Sequence, residues 1–469
     1  MNIDFTNYLA SEEVFVKASE LADRLNVKIF LVGGYVRDLI LSRKNKDIDI
    51  LVVGNGPSFA GKISKSLGIK NITTYKNFGT ARFIYKGYEF EFVGARKESY
   101  KDNSRNPVVT DGTFEDDISR RDFTINCIAF SLNKSNFGAL IDLYDGLKDI
   151  ESTLIKTPLE PGITFNDDPL RIMRAFRFAA QLNFKVDDDT LSAAREMRER
   201  LEIVSQERIT DEFIKILSSP KPSIGLRYLY DTEVMNVIFP EIYNLGGVDQ
   251  RKDFHHKDVF LHTCQVVDNI AEETGDVWLR FAALVHDIAK PQTKKFVEGT
   301  GWTFHGHEEI GARMMKGIFT RMKFPLSKLN YVEKLVRLHL RPIALVDEKV
   351  TDSAIRRLIV NADDDLDDLI TLCRADITSK NQSKVTKYLS NYEKVMNKVR
   401  DVREKDKLRA FQSPVRGDEI MKVFNIQPSK KVGEIKTAIE EAILEGEIEN
   451  TYEAAYSYLL ELKAQMAKK

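Results

Sequence analysis

The chain of 469 residues lacks several features that would place it in a specialised class. Its three cysteines, Cys127, Cys264 and Cys373, are too scattered for a zinc site or a disulfide framework. No apolar run is long enough to cross a bilayer, and the first residues lack the basic start and apolar block of a secretory signal. We therefore expect reduced, buried cysteines, no membrane partner and a cytoplasmic location.

The sequence also lacks an excess of charge of either sign. Its 70 Lys and Arg residues balance 71 Asp and Glu residues, giving a formal net charge of −1. Neutralising nucleic-acid phosphates requires clustered Lys and Arg, so any RNA contact must come from local patches. One candidate patch consists of Arg171, Arg174, Arg177, Arg195, Arg198, Arg200 and Arg208. The alternative interpretation is a solvated helix face held by salt bridges.

The hydrophobic pattern divides the chain into a mixed first part and a helical remainder. Residues 28–93 alternate short β-rich runs with helical ones, whereas the polar segment 97–115 predicts a loop. After about residue 150, helical periodicity dominates. We predict an α+β protein with a small α/β head over 1–150 and helical parts over 151–250, 251–380 and 381–469.

Paired carboxylates lie on one predicted strand of the head. Period-two alternation sets Asp47 and Asp49 on the same face, and two acids so close together favour binding of a cation. Oxygen ligands that leave positions for water and a triphosphate suit Mg²⁺. A third carboxylate is expected on a neighbouring strand, where we favour Glu91 over Glu89. Taken alone, such acids are also typical of a solvated strand edge.

Two glycines, Gly33 and Gly34, stand between a predicted strand and a predicted helix. Bare backbone amides in that position can approach phosphates, and the helix dipole favours them there. A plain tight turn is the alternative meaning of the pair.

Three motifs in roughly the first half of the chain are more specific than these single features. They are Gly33-Gly34-x-Val36-Arg37-Asp38 followed by Asp47-x-Asp49, then Arg120-Arg121-Asp122-Phe123-Thr124-Ile125-Asn126, and then Asp167-Asp168-Pro169-Leu170-Arg171-Ile172-Met173-Arg174-Ala175-Phe176-Arg177-Phe178. Together they resemble the class II tRNA nucleotidyltransferases and bacterial poly(A) polymerases. The resemblance implies a polymerase β-like head, a helical neck, and transfer of nucleotides from CTP and ATP to the 3′ end of tRNA.

The resemblance also implies roles for individual residues. Asp47, Asp49 and Glu91 would be the catalytic metal ligands, although aspartate is more usual than glutamate at the third position. Arg121 and Asp122 would contact the ribose and phosphates of the incoming nucleotide. The other implied nucleotide-binding residues are Gly33, Gly34, Arg37, Asn126, Asp168, Arg171, Arg174 and Arg177.

Asp168 and Arg171 have a sharper chemical meaning in this context. Cytosine and adenine both present an amino donor beside a ring-nitrogen acceptor, so a carboxylate and a guanidinium can read either base edge. Uracil and guanine present carbonyls there, and unpaired acceptors would cost roughly 1–3 kcal/mol. The resemblance implies this role for both residues. Local sequence favours another one, because Asp168 before Pro169 is also a good helix N-cap.

A second candidate metal site lies in the helical part. Only seven histidines occur in the chain, yet four of them join two aspartates in the order His262, His286, Asp287, His307, His339 and Asp376. This set resembles the HD-domain phosphohydrolases, and imidazole-rich ligation favours Mn, Fe, Co or Ni over Mg. We hypothesise hydrolysis of phosphomonoesters or 2′,3′-cyclic phosphates. Metal binding without turnover is the alternative, since it needs the same ligands.

Three functional alternatives stay open at this point. A poly(A) polymerase and partial enzymes that add only CC or only A share the transferase motifs. An HD phosphohydrolase whose N-terminal half serves as an RNA-binding module belongs to another class, and intact Asp47, Asp49 and Glu91 argue against it. The tail over 381–469 resembles a tRNA-holding segment, with helical packing or oligomerisation as its alternative.

Overall fold

A computed structural model describes residues 4–75, 79–99, 108–248, 258–299, 301–346, 350–379, 381–406 and 413–467. The chain forms two compact units, Met1–Tyr243 and Asn244–Lys469. The predicted boundaries at residues 150 and 380 stay predictions, and the division between the units falls close to the predicted boundary at 250. None of the helices in the described ranges is long and apolar enough to span a bilayer.

The head is built on a mixed sheet with strand order β3-β4-β5-β2-β1-β8-β9. Strands β2 and β5 pair in parallel, whereas the other neighbours in this sheet are antiparallel. The strands of the head are β1 Ile29–Val32, β2 Asp47–Val52, β3 Thr73–Tyr75, β4 Thr80–Tyr85, β5 Tyr88–Gly94, β6 Arg96–Ser99, β7 Val108–Asp111, β8 Ala129–Ser131 and β9 Leu140–Ile141. Its helices are α1 Thr6–Ser11, α2 Glu13–Leu25, α3 Gly34–Ile40, α4 Gly56–Ser66, α5 Phe114–Ser119 and α6 Gly146–Glu151.

Strand β2 shows why the acidic pair reaches the surface. Ile48 and Ile50 are buried in the sheet core, while Asp47 is exposed and Asp49 is half-buried. All four residues of the neighbouring strand β1 are buried. The alternation predicted for Asp47 and Asp49 is therefore present, and it places both carboxylates on one face of β2, the central strand of the sheet.

The loop predicted over residues 97–115 is wrong in part. Strands β6 and β7 pair antiparallel, with Arg96 opposite Asp111, and helix α5 begins at Phe114. The run Val108-Val109-Thr110 is β-branched and favours a strand, and Thr113 caps α5 in a capping box with Asp116. The part of the predicted loop over 100–107 lies outside the described residues.

Helices dominate the rest of the first unit, and α8 is its central element. Ile172, Met173 and Phe176 are completely buried on that helix. The elements of this neck are β10 Leu154–Ile155, α7 Pro161–Asp167, α8 Leu170–Leu182, β11 Lys185–Val186, α9 Asp188–Glu196, α10 Gln206–Leu217, α11 Pro222–Asp231, α12 Val234–Ile238 and α13 Pro240–Tyr243. The short parallel pair of β10 and β11 adds strand to a region that the sequence predicts to be helical.

The second unit is helical with one hairpin. Its elements are α14 Val259–Glu273, α15 Val277–Val285, α16 Lys290–Thr293, β12 Lys295–Val297, β13 Gly301–Thr303, α17 His307–Arg321, α18 Leu329–Leu338, α19 Arg341–Ala344, α20 Asp352–Ala362, α21 Leu366–Ala375, α22 Gln382–Asp406, α23 Gly417–Phe424, α24 Lys430–Glu445 and α25 Tyr452–Ala467. The α+β class predicted from the sequence is confirmed by the mixed sheet of the head and these helices.

Candidate active site and metal centre

The carboxylates of the head meet where β2 and β5 pair. The parallel register sets Asp47 opposite Glu89 and Asp49 opposite Glu91. Paired residues of adjacent strands face the same side of a sheet, so Glu91 shares the face of the acidic pair. Glu89 accepts a hydrogen bond from Arg82 at 2.7 Å, which engages it elsewhere. This arrangement supports the choice of Glu91 as the third carboxylate.

Burial and the neighbouring acids oppose the ionisation of Asp49 on this face of the sheet. Burial raises the pKa of Asp49 to about 6, and the negative charges of Glu91 and Asp47 add to that effect against the opposing charge of Arg121. A carboxyl group held among other acids at a half-buried position fits a hard divalent cation, which would offset the repulsion. The residues present therefore suit Mg²⁺.

Gly33 allows Asp49 and Arg121 to pack closely against the backbone. Its φ of +79° lies in the left-handed region, and a Cβ there would stand 3.0 Å from Asp49 Oδ2 and 3.1 Å from Arg121 Nη1. Any side chain would push apart the carboxylate and the guanidinium. Gly34 directly follows as the first residue of α3, so the glycine pair lies between a strand and a helix, and its approach to phosphates stays a prediction.

Arg121 is held by a carboxylate that the sequence did not single out. Its Nη2 donates to Asp117 Oδ2 at 3.1 Å, and Asp117 is completely buried and also pairs with Arg120. The Nε of Arg121 is buried and has no hydrogen-bond partner in the described part of the chain. Arg121 lies just beyond the end of α5, and its spacing of four residues from Asp117 was the available signal for that carboxylate.

A buried network joins four of the predicted nucleotide-binding residues. Asp122 accepts from Asn126 Nδ2 at 2.9 Å and from Arg174 Nε at 2.8 Å. Asn126 in turn accepts from Arg37 Nη1 at 2.9 Å. Burial would raise the pKa of Asp122, but Arg174 and the hydrogen bond from Asn126 outweigh it and hold the pKa below the usual range. The network fixes the orientation of Asp122 between the head and α8.

The aromatic ring of Phe178 lies among three arginines at the same place. The Cζ atoms of Arg37, Arg174 and Arg177 stand 4.9, 5.4 and 4.3 Å from its centroid. Burial and the charge of Arg174 lower the pKa of Arg177 to about 10. Glu212 on α10, which the sequence did not single out, approaches Arg177 Nε with its Oε2 at 3.1 Å.

Asp168 has its partners in the neck, whereas Arg171 also donates from Nη2 to the Arg120 carbonyl of the head at 2.5 Å. Asp168 Oδ1 accepts from the Leu170 backbone amide at 3.2 Å, so the capping alternative is present. Its Oδ2 pairs with Arg208 at 2.8 Å, which leaves this carboxylate oriented by a guanidinium from α10. Arg171 Nη1 donates to the Thr164 carbonyl at 3.1 Å. Arg208 belonged to the predicted basic patch, but its pairing with Asp168 was not expected.

The second unit brings all six predicted HD residues together. They fall into two triplets of potential metal ligands, His262, His286 and Asp376 in one and Asp287, His307 and His339 in the other. Asp287 links the triplets, because its Oδ2 lies 3.1 Å from His286 Nε2 and its Oδ1 lies 3.2 Å from His307 Nε2. Each triplet would hold a metal ion, and Asp287 lies between the two triplets.

Each histidine of the cluster is oriented by a hydrogen bond at Nδ1. The partners are the Thr378 hydroxyl for His262 at 2.9 Å, the Ala283 carbonyl for His286 at 2.8 Å, the Phe304 carbonyl for His307 at 2.7 Å and the Val336 carbonyl for His339 at 2.7 Å. Such bonds leave every Nε2 facing the cluster, as metal-binding histidines require. The buried His286 Nε2 has no hydrogen-bond partner in the described ranges. Carboxylate oxygens of Asp287 and Asp376 lie 3.1 and 3.5 Å from this nitrogen, so it stands among other potential ligands and fits a metal.

The charges of this cluster are balanced internally. Burial lowers the pKa of His286, but the negative charges of Asp287 and Asp376 outweigh it and raise the pKa to about 10. Burial and the charge of His286 lower the pKa of His339 to about 3. Lys290, which the sequence did not single out, donates from Nζ to Asp287 Oδ2 at 2.6 Å. Its position three residues after Asp287 was the signal for it.

Three known families match successive parts of the chain. The Poly A polymerase head domain matches residues 29–156, the Probable RNA and SrmB- binding site of polymerase A matches 183–245, and the HD domain matches 259–380. The resemblances predicted from the motifs are thereby confirmed.

Solved structures show the same fold over nearly the whole chain. The Bacillus stearothermophilus CCA-adding enzyme in complex with CTP covers 97% of this chain and 99% of its own, with 21% identity and a TM-score of 0.67. A tRNA nucleotidyltransferase complexed with a primer tRNA and an incoming ATP analog covers 81% of this chain and 99% of its own, with 21% identity and a TM-score of 0.58.

Relatives of higher identity show the family. The Multifunctional CCA protein of Stenotrophomonas maltophilia is 34% identical over 350 residues, which are 72% of this chain and 81% of that protein. The protein of the same name from Psychromonas ingrahamii is 36% identical over 310 residues, 64% of this chain and 71% of that protein. The carboxylates on β2 and β5, the buried arginine network and the HD cluster are all in place. This chain belongs to the multifunctional CCA protein family of nucleotidyltransferases.

Proposed function

We propose that the chain adds C, C and A in turn to the 3′ end of tRNA, with CTP and ATP as donors. The observation that carries this proposal is the parallel register of β2 and β5, which aligns Glu91 with Asp49 on the face that bears Asp47. Relatives named for CCA activity and a solved relative that holds a primer tRNA support it.

The residues of the head divide the work of nucleotide transfer. Asp47, Asp49 and Glu91 would hold Mg²⁺, which supplies activation of the attacking hydroxyl and stabilisation of the leaving pyrophosphate. Arg121 lies beside Asp49, its buried Nε has no partner among the described residues, and it offers positive charge to the triphosphate. Gly33 leaves room for the approach of the phosphates.

The neck selects the base. Asp168 and Arg171 present an acceptor and a donor, a pair that matches the edges of cytosine and adenine. Arg208 holds Asp168 through a charged hydrogen bond, so we assign it a positioning role. Arg174 of α8 orients Asp122. Arg177, on the same helix, adds positive charge beside the ring of Phe178.

The decisive experiment uses tRNA transcripts that end before the terminal CCA. Labelled CTP and ATP are supplied separately and together, with Asp49→Asn as the inactive control. Sequential incorporation that stops after three residues is expected. Long adenosine tails on unrelated RNA would show a poly(A) polymerase instead, and addition that stops after CC, or that occurs only on tRNA ending in CC, would show a partial enzyme.

A second activity at the HD cluster is supported by the bridging position of Asp287. Metal ions held by the two triplets would supply the chemistry of enzymes that hydrolyse phosphate esters, by activating a water and stabilising charge on the phosphate oxygens. Water would add across one P–O bond of a 2′,3′-cyclic phosphate, leaving a phosphomonoester and a free hydroxyl, and no further reactant is required. The four histidines favour Mn, Fe, Co or Ni as the metal. Metal-loaded protein that cleaves cyclic-ended RNA no faster than Asp287→Ala would refute hydrolysis.

The cytoplasm is the proposed location of the protein.

The tail over 381–469 is the proposed binding site for the body of tRNA. Lys430 begins α24 with 94% of its side chain exposed, and Lys431 follows it. Replacing both lysines with Glu should weaken tRNA binding, and the size of the loss should depend on the salt concentration. Hydrolysis of a cyclic mononucleotide at the HD cluster should continue. Unchanged tRNA affinity would instead favour a packing or oligomerisation role for the tail.

A further inference from the structure

A short hairpin lies in the chain between two residues of the HD cluster. Strands β12 and β13 pair so that Phe296 stands opposite Trp302, and the two rings meet edge-on with centroids 5.3 Å apart. Phe296 is 53% exposed and Trp302 is 37% exposed. The cross-strand pairing thus fixes two large aromatic rings in place without burying them.

Positive charge accompanies these rings. Lys294 Nζ lies 4.5 Å from the centroid of Trp302, and Lys295 is exposed at the start of β12. Glu298 is the single acidic residue between positions 294 and 304 of the sequence. Surfaces that bind single-stranded nucleic acid combine exposed aromatic faces with Lys or Arg in this way.

The hairpin is joined directly to the HD cluster. Phe304 follows β13, and its carbonyl accepts the Nδ1 hydrogen bond of His307 at 2.7 Å. Lys290 Nζ lies 5.7 Å from the ring centroid of Phe304 and donates to Asp287 at 2.6 Å. Only Thr303 separates Trp302 from Phe304, and two residue steps of extended chain span roughly 7 Å, which is comparable to one nucleotide.

We propose that Phe296 and Trp302 form a nucleobase platform for the HD cluster, on which the 3′-terminal base of an RNA stacks while its terminal phosphate lies beside Lys290. The inference rests on the hydrolysis proposed above, and it narrows the substrate class to nucleotides and RNA ends with a terminal or cyclic phosphate. Because every base has a π-face, the platform tolerates all four bases. Phosphate esters without a base are excluded as good substrates.

Fluorescence tests the platform through base binding, a readout that does not depend on turnover. The chain has two tryptophans, and Trp278 packs against Phe281, Phe319 and Phe324, so Trp278→Phe leaves Trp302 as the reporter. Titration of the metal-loaded protein with 2′,3′-cyclic AMP should quench Trp302 and protect it from acrylamide, whereas inorganic phosphate should do neither. Absence of this base-dependent quenching overturns the platform, whether or not cyclic AMP is hydrolysed. If Trp278→Phe does not fold, the difference between wild type and Trp302→Phe gives the same signal.

Kinetics provide the second test. Phe296→Ala and Trp302→Ala should each raise KM for cyclic AMP by about tenfold, leave kcat nearly unchanged and leave hydrolysis of glycerol phosphate unaffected. Trp302→Phe should restore most of the affinity. Leu326→Ala, at an exposed position away from the hairpin in sequence, is the matched control.

The outcomes separate the two proposals. Failure of metal-loaded protein to cleave any ester refutes hydrolysis, and the fluorescence titration still decides the platform. Equal KM changes for cyclic AMP and glycerol phosphate, or none for either, refute the platform alone.

Discussion

The two candidate metal sites of this chain balance their charges in opposite ways. In the head, carboxylates gather on one face of the paired strands β2 and β5, where burial, together with the charges of Glu91 and Asp47, raises the pKa of Asp49 to about 6. In the HD cluster, Lys290 donates to the buried Asp287, and the charges of His286 and Lys290 outweigh burial and lower the pKa of that carboxyl when no metal is bound. The first arrangement suits a hydrated cation that arrives with its nucleotide, and the second suits a resident metal in a rigid cage.

The largest expected effect separates the two sites by mutation. Asp49→Asn keeps the shape of the side chain but removes its charge, so nucleotide addition should fall by about 10³-fold or more while cleavage of cyclic AMP is unchanged. His286→Ala should have the opposite effect. Initial rates of both reactions on the same preparations measure this. A parallel loss of both activities in either variant would contradict independent sites.

Metal retention sharpens the comparison. After gel filtration without added metal, the wild-type chain should keep about two transition-metal ions and no Mg²⁺, as elemental analysis would measure. Thr378→Val removes the hydroxyl that orients His262 Nδ1 and should weaken metal binding by about tenfold or more.

Thr386→Val, on the exposed face of α22, is the control for the Thr378 variant because its hydroxyl bonds only within its own helix. Equal metal content in the two variants would show that the Nδ1 bond does not tune the cluster.

Base selection should respond more modestly, through Arg208. Arg208→Ala frees Asp168 from its guanidinium partner, so the preference in kcat/KM for CTP over UTP should fall by about tenfold, equivalent to the loss of one oriented hydrogen bond. Single-nucleotide addition to tRNA lacking CCA measures the ratio. Glu207→Ala, exposed on the same helix, should leave it unchanged. A uniform loss for all four nucleotides would assign Arg208 to phosphate binding instead.

Sequence alone predicted the features that depend on local pattern. Period-two alternation placed Asp47 and Asp49 on one face, and the scarcity of histidine made the order of the HD residues conspicuous. The partners that orient these groups were beyond reach. Asp168 meets Arg208 across 40 positions and Arg177 meets Glu212 across 35, because the packing of α8 against α10 brings together residue types that are common on any helix surface. The strands of the hairpin at Lys295–Val297 and Gly301–Thr303 are too short to show alternation.

The smallest expected effect concerns the free energy of unfolding, and it distinguishes the carboxylates of the head from the HD cluster. The pKa of Asp49 is raised from 3.8 to about 6, so its favourable contribution to folding is complete below about pH 4 and is lost as the pH rises through 6. In protein treated with a chelator, Asp49→Asn should therefore be more stable than wild type at about pH 8, by about 1–2 kcal/mol, and equal to it near pH 4. Urea denaturation at both pH values measures this difference. Saturating Mg²⁺ should stabilise the wild type and not the variant, because a ligand stabilises only the form that binds it. If the variant is instead less stable than wild type at every pH without metal, the attraction between Asp49 and Arg121 outweighs the cost of burial. The carboxylates of the head would then resemble the HD cluster, where opposite charges offset one another.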